Sequence, residues 1–208
     1  MSNYVITIAR SYGSGGRTLG RMLAEELGVK YYDRELLRLA SDDSGINEGL
    51  FGKADEKLKS TALFKVAKKA YTGEVIPPDS DEFVTNDNLF NYQAKVIKSL
   101  AEEESCIIIG RCADYILKDV PNVIRLFCYA PLKDCIEREK KLNALNEKDI
   151  VKKIQKIDKH RAEYYKYYTG NEWNDARNYD ICINTASMSY EQLIKVVKNY
   201  ITVFRHKE

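Results

Sequence analysis

Apolar positions along the chain fall into two kinds of cluster, short β-branched runs and longer stretches spaced by three and four residues. Tyr4-Val5-Ile6-Thr7-Ile8 is a run of the first kind and ends at Arg10. A glycine-rich segment, Gly13-Ser14-Gly15-Gly16, follows, and then Leu19, Met22, Leu23 and Leu27 at helical spacing, which predicts strand, loop and helix. Gly28 suits the helix C-terminus, Val29 to Tyr32 can form a second short strand ending at Asp33, and Leu36, Leu37, Leu39 and Ala40 suggest another helix. From Ser41 to Asn88 the pattern loosens into Asp, Ser, Gly and Lys with Pro77-Pro78, and reads as a mobile insert with a short helical piece from Leu63 to Ala70.

The pattern tightens again with a helix from about Leu89 to Glu103 and the run Cys106-Ile107-Ile108-Ile109, of the kind expected in a central parallel strand, closed by Gly110-Arg111. A short helix, a strand over Val123 to Tyr129, a helix over Ala130 to Leu142, a strand over Tyr179 to Asn184 and a last amphipathic helix from about Tyr190 to Phe204 complete the series. Alternation of this kind predicts an α/β fold whose parallel sheet is covered on both faces. Between the last two strands, Lys148 to Lys166 is strongly basic, with Lys152, Lys153, Lys156, Lys159, His160 and Arg161; alone it could be a solvated helix face.

At 208 residues the chain suits one sizeable domain, and 44% apolar with 31% charged residues describes a folded protein rather than a disordered one. A formal charge of +2 is too small to predict binding to nucleic acid or to an anionic membrane, so any electrostatic function is local. No apolar stretch approaches the roughly 20 residues needed to span a bilayer. The first residues run straight into a strand with no leader-like pattern, and a cytoplasmic location is expected. Five cysteines without a C-x-x-C pair read as buried free thiols, and with two histidines the usual ligands of a structural zinc are missing.

Candidate chemistry centres on the glycines. A strand feeding a glycine-rich turn into a helix lets backbone N–H groups converge on an anion, because glycine permits the dihedrals and the helix start carries partial positive charge. Two phosphate-binding patterns compete for Ser11 to Thr18. Against G-x-x-x-x-G-K-[ST], Gly16 and Thr18 agree while Ser11 and Arg17 depart; against G-x-G-x-x-G, Gly13 and Gly15 agree while Thr18 departs. Asp33 also supplies the acid expected about 20 residues beyond a dinucleotide loop. The late basic segment favours phosphoryl transfer, which needs cations around the transferring group.

The run Ile6 to Leu37, Ile107 to Arg111, and Tyr179 to Thr185 together resemble the cytidylate kinase-like family of P-loop nucleoside monophosphate kinases, over most of the chain. The resemblance implies a three-layer P-loop NTPase fold: a single domain over 1–208 with a five-stranded parallel sheet, a helical acceptor-binding insert at about 41–88 and a basic lid at about 145–175. It implies ATP and Mg²⁺ as cofactors and a small-molecule nucleotide acceptor, most simply CMP or dCMP, as substrate. Gly13, Ser14, Gly15, Gly16, Arg17 and Thr18 would hold the ATP phosphates, with the Thr18 hydroxyl on the metal. Asp33 and Arg111 would hold the acceptor, the arginine gripping its phosphate. Arg17, Arg161 and Lys159 would supply catalytic charge.

Two departures from the family pattern stand out, Arg17 where a lysine is usual and Cys112 where an aspartate follows the arginine; Asp114 is the available substitute. They leave open a nucleotide-binding sensor without turnover and a kinase of a non-nucleotide molecule. A nicotinamide enzyme built on Gly13, Gly15 and Asp33 is a further reading. Structural roles compete residue by residue: Asp33 as a helix cap, Arg111 in an ion pair, Arg17 in solvent, and Tyr164, Tyr165, Tyr167 and Tyr168 as packing.

Overall fold

A computed structural model describes residues 3–57, 74–78, 80 and 84–205. Strands β1 (Val5–Arg10), β2 (Lys30–Tyr32), β3 (Cys106–Ile109), β4 (Val123–Tyr129) and β5 (Ile181–Asn184) form one sheet in the order β2-β3-β1-β4-β5. Every pairing is parallel, with Ile8 opposite Ile109 on one side and Leu126 on the other. The expected fold class is therefore observed.

Period-two alternation sorts each strand between two cores. Ile6 and Ile8 of β1, Ile107 and Ile109 of β3 and Ile124 and Leu126 of β4 face one side, with Leu19 and Leu23 of α1 (Gly16–Leu27) and Leu193 and Val197 of α8 (Tyr190–Arg205). Val5, Ala9, Cys106, Ile108, Val123 and Phe127 face the other. That second face is covered by α2 (Glu35–Ser44), α3 (Glu48–Lys57), α4 (Asn86–Glu103), α5 (Ala113–Ile116) and the far end of α7 (Glu147–Thr169). A satellite core joins α6 (Leu132–Leu142) to the start of α7 through Cys135, Ile136, Ile150 and Ile154.

Several boundaries differ from the pattern for local reasons. Helix α4 begins at Asn86, because Thr85 is extended and its hydroxyl accepts from the Asn88 amide as an N-cap. Helix α2, expected from Leu36, Leu37, Leu39 and Ala40, runs on to Ser44, and in the segment expected to be loose α3 is a regular helix; the piece expected over Leu63 to Ala70 lies outside the described residues. The reading of Asp33 as a cap does not hold, since the N-cap of α2 is Arg34, without a side-chain cap. Four of the five cysteines are buried free thiols as expected, but Cys182 on the edge strand β5 is exposed. Among the described residues no helix is long and apolar enough to cross a membrane.

The far half of α7 is fastened to α4 by aromatic contacts. Phe90 stacks on Tyr168 at 3.8 Å between ring centroids, with Tyr164 against its edge at 6.2 Å. Tyr167 donates to Asp87 and Tyr168 to the Asn86 carbonyl. The tyrosine cluster thus packs, as one reading of it expected. Because Phe90 is only 2% exposed, Phe90→Ala should cost about 3–5 kcal/mol, measured as a lowered urea midpoint.

Candidate active site

Chain direction and glycine geometry place the loop. Strand β1 delivers the chain to the carboxyl edge of the sheet, and the Ser11 amide donates to the Cys128 carbonyl before the loop begins. Gly13 and Gly15 have φ of +75° and +80°, which side chains rarely adopt. Space excludes a side chain as well: a Cβ on Gly13 would lie 2.9 Å from Cys135 Cβ, and one on Gly15 would collide with the Tyr190 hydroxyl. Gly15 is the N-cap of α1 and offers no side-chain cap, so amides of the first turn remain for an anion.

The loop is braced from behind by residues the pattern reading did not single out. Arg138 of α6 donates through Nη1 to the Ser14 carbonyl at 2.7 Å and through Nη2 to the Thr185 carbonyl at 2.8 Å. The Thr185 hydroxyl also bonds to the Ser14 carbonyl. From the other side Asp158 of α7 accepts the Tyr12 amide at 2.8 Å. No sequence signal marks Arg138 or Asp158, because the loop groups that they hold, the Ser14 carbonyl and the Tyr12 amide, are backbone groups more than 100 residues away.

In front of the loop lies a cavity of about 190 Å³, lined by Arg10, Asp33, Arg111, Asp114, His160 and Arg161 among others. Arg161, mostly buried, donates to the Arg10 carbonyl at 3.0 Å and pairs with Asp158 at 3.2 Å. Burial lowers its guanidinium below the usual arginine range. Arg111 is aimed by an unusual turn in which Gly110, Arg111 and Cys112 have φ of +72°, +57° and +56°. Its guanidinium donates to Gln93 of α4 at 3.0 Å and to the Asp33 carbonyl at 3.4 Å. Asp114 accepts a hydrogen bond from Tyr165 at 2.6 Å. Phe127 packs on Trp173 and Tyr179, which closes the wall near Asp114.

Of the residues singled out from the sequence, the structure brings Asp33, Arg111 and Arg161 to this one cavity, next to the Gly13–Gly16 loop. Arg17 is 58% exposed and pairs with Asp33, Nε to Oδ2 at 2.7 Å. Lys159 is 77% exposed, lies 3.8 Å from Glu163 and is not in the cavity wall. Thr18 is half-buried on the first turn of α1. Among the described residues no group of three or more His, Cys, Asp or Glu is arranged to hold a metal. Mg²⁺ bound through phosphates and one hydroxyl is consistent with this.

A parallel sheet in this order, with a glycine loop capping α1 and an arginine-lined cavity at the strand ends, is the architecture of the P-loop kinase fold. The sequence profile of the cytidylate kinase-like family matches residues 5–187, and the chain belongs to that family. It is 25% identical over 194 residues to the cytidylate kinase of Pyrococcus horikoshii, covering 93% of this chain and 86% of that one. With the cytidylate kinase of Methanosarcina barkeri it shares 27% over 198 residues, 93% of each. Among solved structures, an uncharacterized protein from Eubacterium ventriosum superposes with a TM-score of 0.69 at 26% identity, over 96% of this chain and 99% of that one. A shikimate kinase from Bacteroides thetaiotaomicron, with a TM-score of 0.54 at 13% identity over 96% and 98% of the two chains, shares the fold.

Asp114 provides a test of the cavity wall. It is 4% exposed, and burial pushes its carboxyl up to about 6 despite the hydrogen bond from Tyr165. A carboxyl raised in the folded state costs nothing below its unfolded value of about 3.9, and its cost grows as pH rises to the folded value. Asp114→Asn, which can still accept from Tyr165, should exceed wild type in stability by about 1–3 kcal/mol at pH 7.5. Near pH 4 the two urea midpoints should nearly coincide.

Proposed function

We propose that the protein transfers the γ-phosphoryl group of ATP to a nucleoside monophosphate, with CMP or dCMP as the acceptor. The observation that carries this reading is the convergence of Arg111, Asp33 and Arg161 on one cavity beside the glycine loop. The cytidylate kinases among its relatives support the choice of acceptor.

In this reading the amides of Gly13 to Gly16 hold the ATP phosphates, with Arg17 adding charge at the loop's mouth. Mg²⁺, held by Thr18 and the phosphates, neutralises their charge. Arg111 grips the acceptor phosphate with its planar fork, for which the donor geometry of guanidinium is suited. Gln93 and the Asp33 carbonyl hold that fork in place. Asp33 contacts the acceptor from the end of β2. Arg161, fixed by Asp158 and the Arg10 carbonyl, contributes lid charge to the transferring group. The chemistry is positioning and charge neutralisation, and no covalent enzyme intermediate is required.

Incubation of the purified protein with MgATP and CMP, dCMP, UMP, AMP or GMP separately, following ADP release and nucleoside diphosphate formation, tests the reading. Diphosphate from CMP or dCMP is the expected result. ATP binding with transfer to none of them would favour a sensor or a kinase of another small molecule. Arg111→Ala should weaken acceptor binding at least tenfold, about 1.4 kcal/mol; an unchanged acceptor affinity would show that Arg111 does not grip the acceptor phosphate.

A further inference from the structure

The last residue of β1, Arg10, has no role in the phosphotransfer reading, yet its surroundings are those of an anion ligand. Its stem is packed against the phosphate loop, since a Cβ on Gly16 would fall 2.8 Å from Arg10 Cβ. Its head occupies the place of a missing side chain across the sheet: a Cβ on Gly110 would collide with Arg10 Nη1. The guanidinium therefore spans from the loop to the Gly110-Arg111 turn and faces the cavity. Among the described residues it makes no hydrogen bond and no ion pair. Burial, reinforced by Arg161, Arg17 and Arg111 nearby, pulls it down to about 9, with Asp33 as the one carboxylate opposing this. It stays protonated at neutral pH.

A half-buried cation with no hydrogen-bonded counterion and three cations around it is costly unless an anion completes the site. Nearby, His160 Nε2 is buried without a hydrogen-bond partner. Meanwhile Arg17, at the loop's usual lysine position, is largely exposed and engaged by Asp33. We propose that Arg10 is the cation that meets the transferring phosphoryl group at the junction of donor and acceptor phosphates, supplying that charge from the strand rather than from the loop.

This rests on the phosphotransfer reading. In the step it serves, an acceptor phosphate oxygen forms a bond to the γ-phosphorus, the bond from that phosphorus to the β–γ bridging oxygen breaks, and ADP leaves with the electron pair. Arg10 remains protonated throughout and donates only hydrogen bonds to the equatorial oxygens, where charge is spread in such transition states. Its fork could bridge oxygens of two groups at once, which an ammonium on a shorter reach could not.

The test uses the full chain as wild type, Arg10→Met, Arg10→Lys, Arg17→Met and, as an exposed control on α1, Arg21→Met. With MgATP and the best monophosphate, Arg10→Met should lower kcat at least 100-fold, and Arg10→Lys should recover part of the loss. Arg17→Met should lose at least tenfold less than Arg10→Met. Retention of more than a fifth of wild-type kcat by Arg10→Met, or a larger loss in Arg17→Met, overturns the proposal.

If wild type phosphorylates none of the monophosphates, the kinase reading fails while the anion site stays open to measurement with inorganic pyrophosphate by calorimetry. Tenfold weaker binding in Arg10→Met, with Arg21→Met unchanged, upholds the site; equal affinity in Arg10→Met overturns it. Removing a repelling cation should leave the Tm of Arg10→Met equal to wild type or higher. A lower Tm with pyrophosphate affinity intact makes Arg10 structural and overturns the proposal as well.

Discussion

The structure is organised around repulsion between guanidinium groups that have been brought to one edge of a sheet. Arg10, Arg111 and Arg161 line a single cavity, with Arg17 beside it, and the nearby carboxylates are fewer than the cations. Placing like charges together in a partly dry site costs free energy that the fold has to offset elsewhere. In the proposed function the same charges form a preorganised field for an anion, the kind of contribution that is usually largest where charge develops in a transition state. Backbone carbonyls soften the repulsion: Arg161 rests on the Arg10 carbonyl, Arg111 on that of Asp33, and Arg138 on those of the loop.

Strain is accepted at the same place. Two successive non-glycine residues, Arg111 and Cys112, sit in the left-handed region directly after Gly110, a conformation costing roughly 1–3 kcal/mol at each such position. Burial of Cys112 and Ala113 and the bond from the Ala113 amide to the Gly110 carbonyl hold the turn in that shape. The turn ends with Arg111 in the cavity wall. Gly110 itself cannot be replaced without displacing Arg10, so the turn and the strand-end arginine are coupled through space.

The long helix α7 links this charged edge to the apolar core. Its far half is packed on α4 through Phe90 and three tyrosines, and its middle presents Asp158, His160 and Arg161 to the loop and cavity. Tyr165 joins the two ends by donating to Asp114 in the cavity wall. Basic residues that look alike in the sequence thereby acquire different fates: Arg161 turns inward to Asp158 and the β1 carbonyl, while Lys159, two positions earlier, faces solvent. A helix rotates each residue by about 100° relative to its predecessor, so a block of charge cannot be read as a site until the helix has a docked face.

What was legible in the sequence was whatever depends on neighbours along the chain. The β-branched runs and helical spacings specified strands and helices, Gly13 and Gly15 marked a turn that requires positive φ, and Asp33 and Arg111 stood at the ends of recognisable strands, where parallel sheets bind ligands. Only the tertiary structure decided which charges face one another. That Arg17 pairs with Asp33, that Arg138 and Thr185 brace Ser14, and that Arg10 lies over Gly110 depend on contacts across 16 to more than 170 residues. Sheet order determines these contacts. Order is a property of how apolar faces pack, and it leaves no mark in the local spacing of the polar residues it brings together.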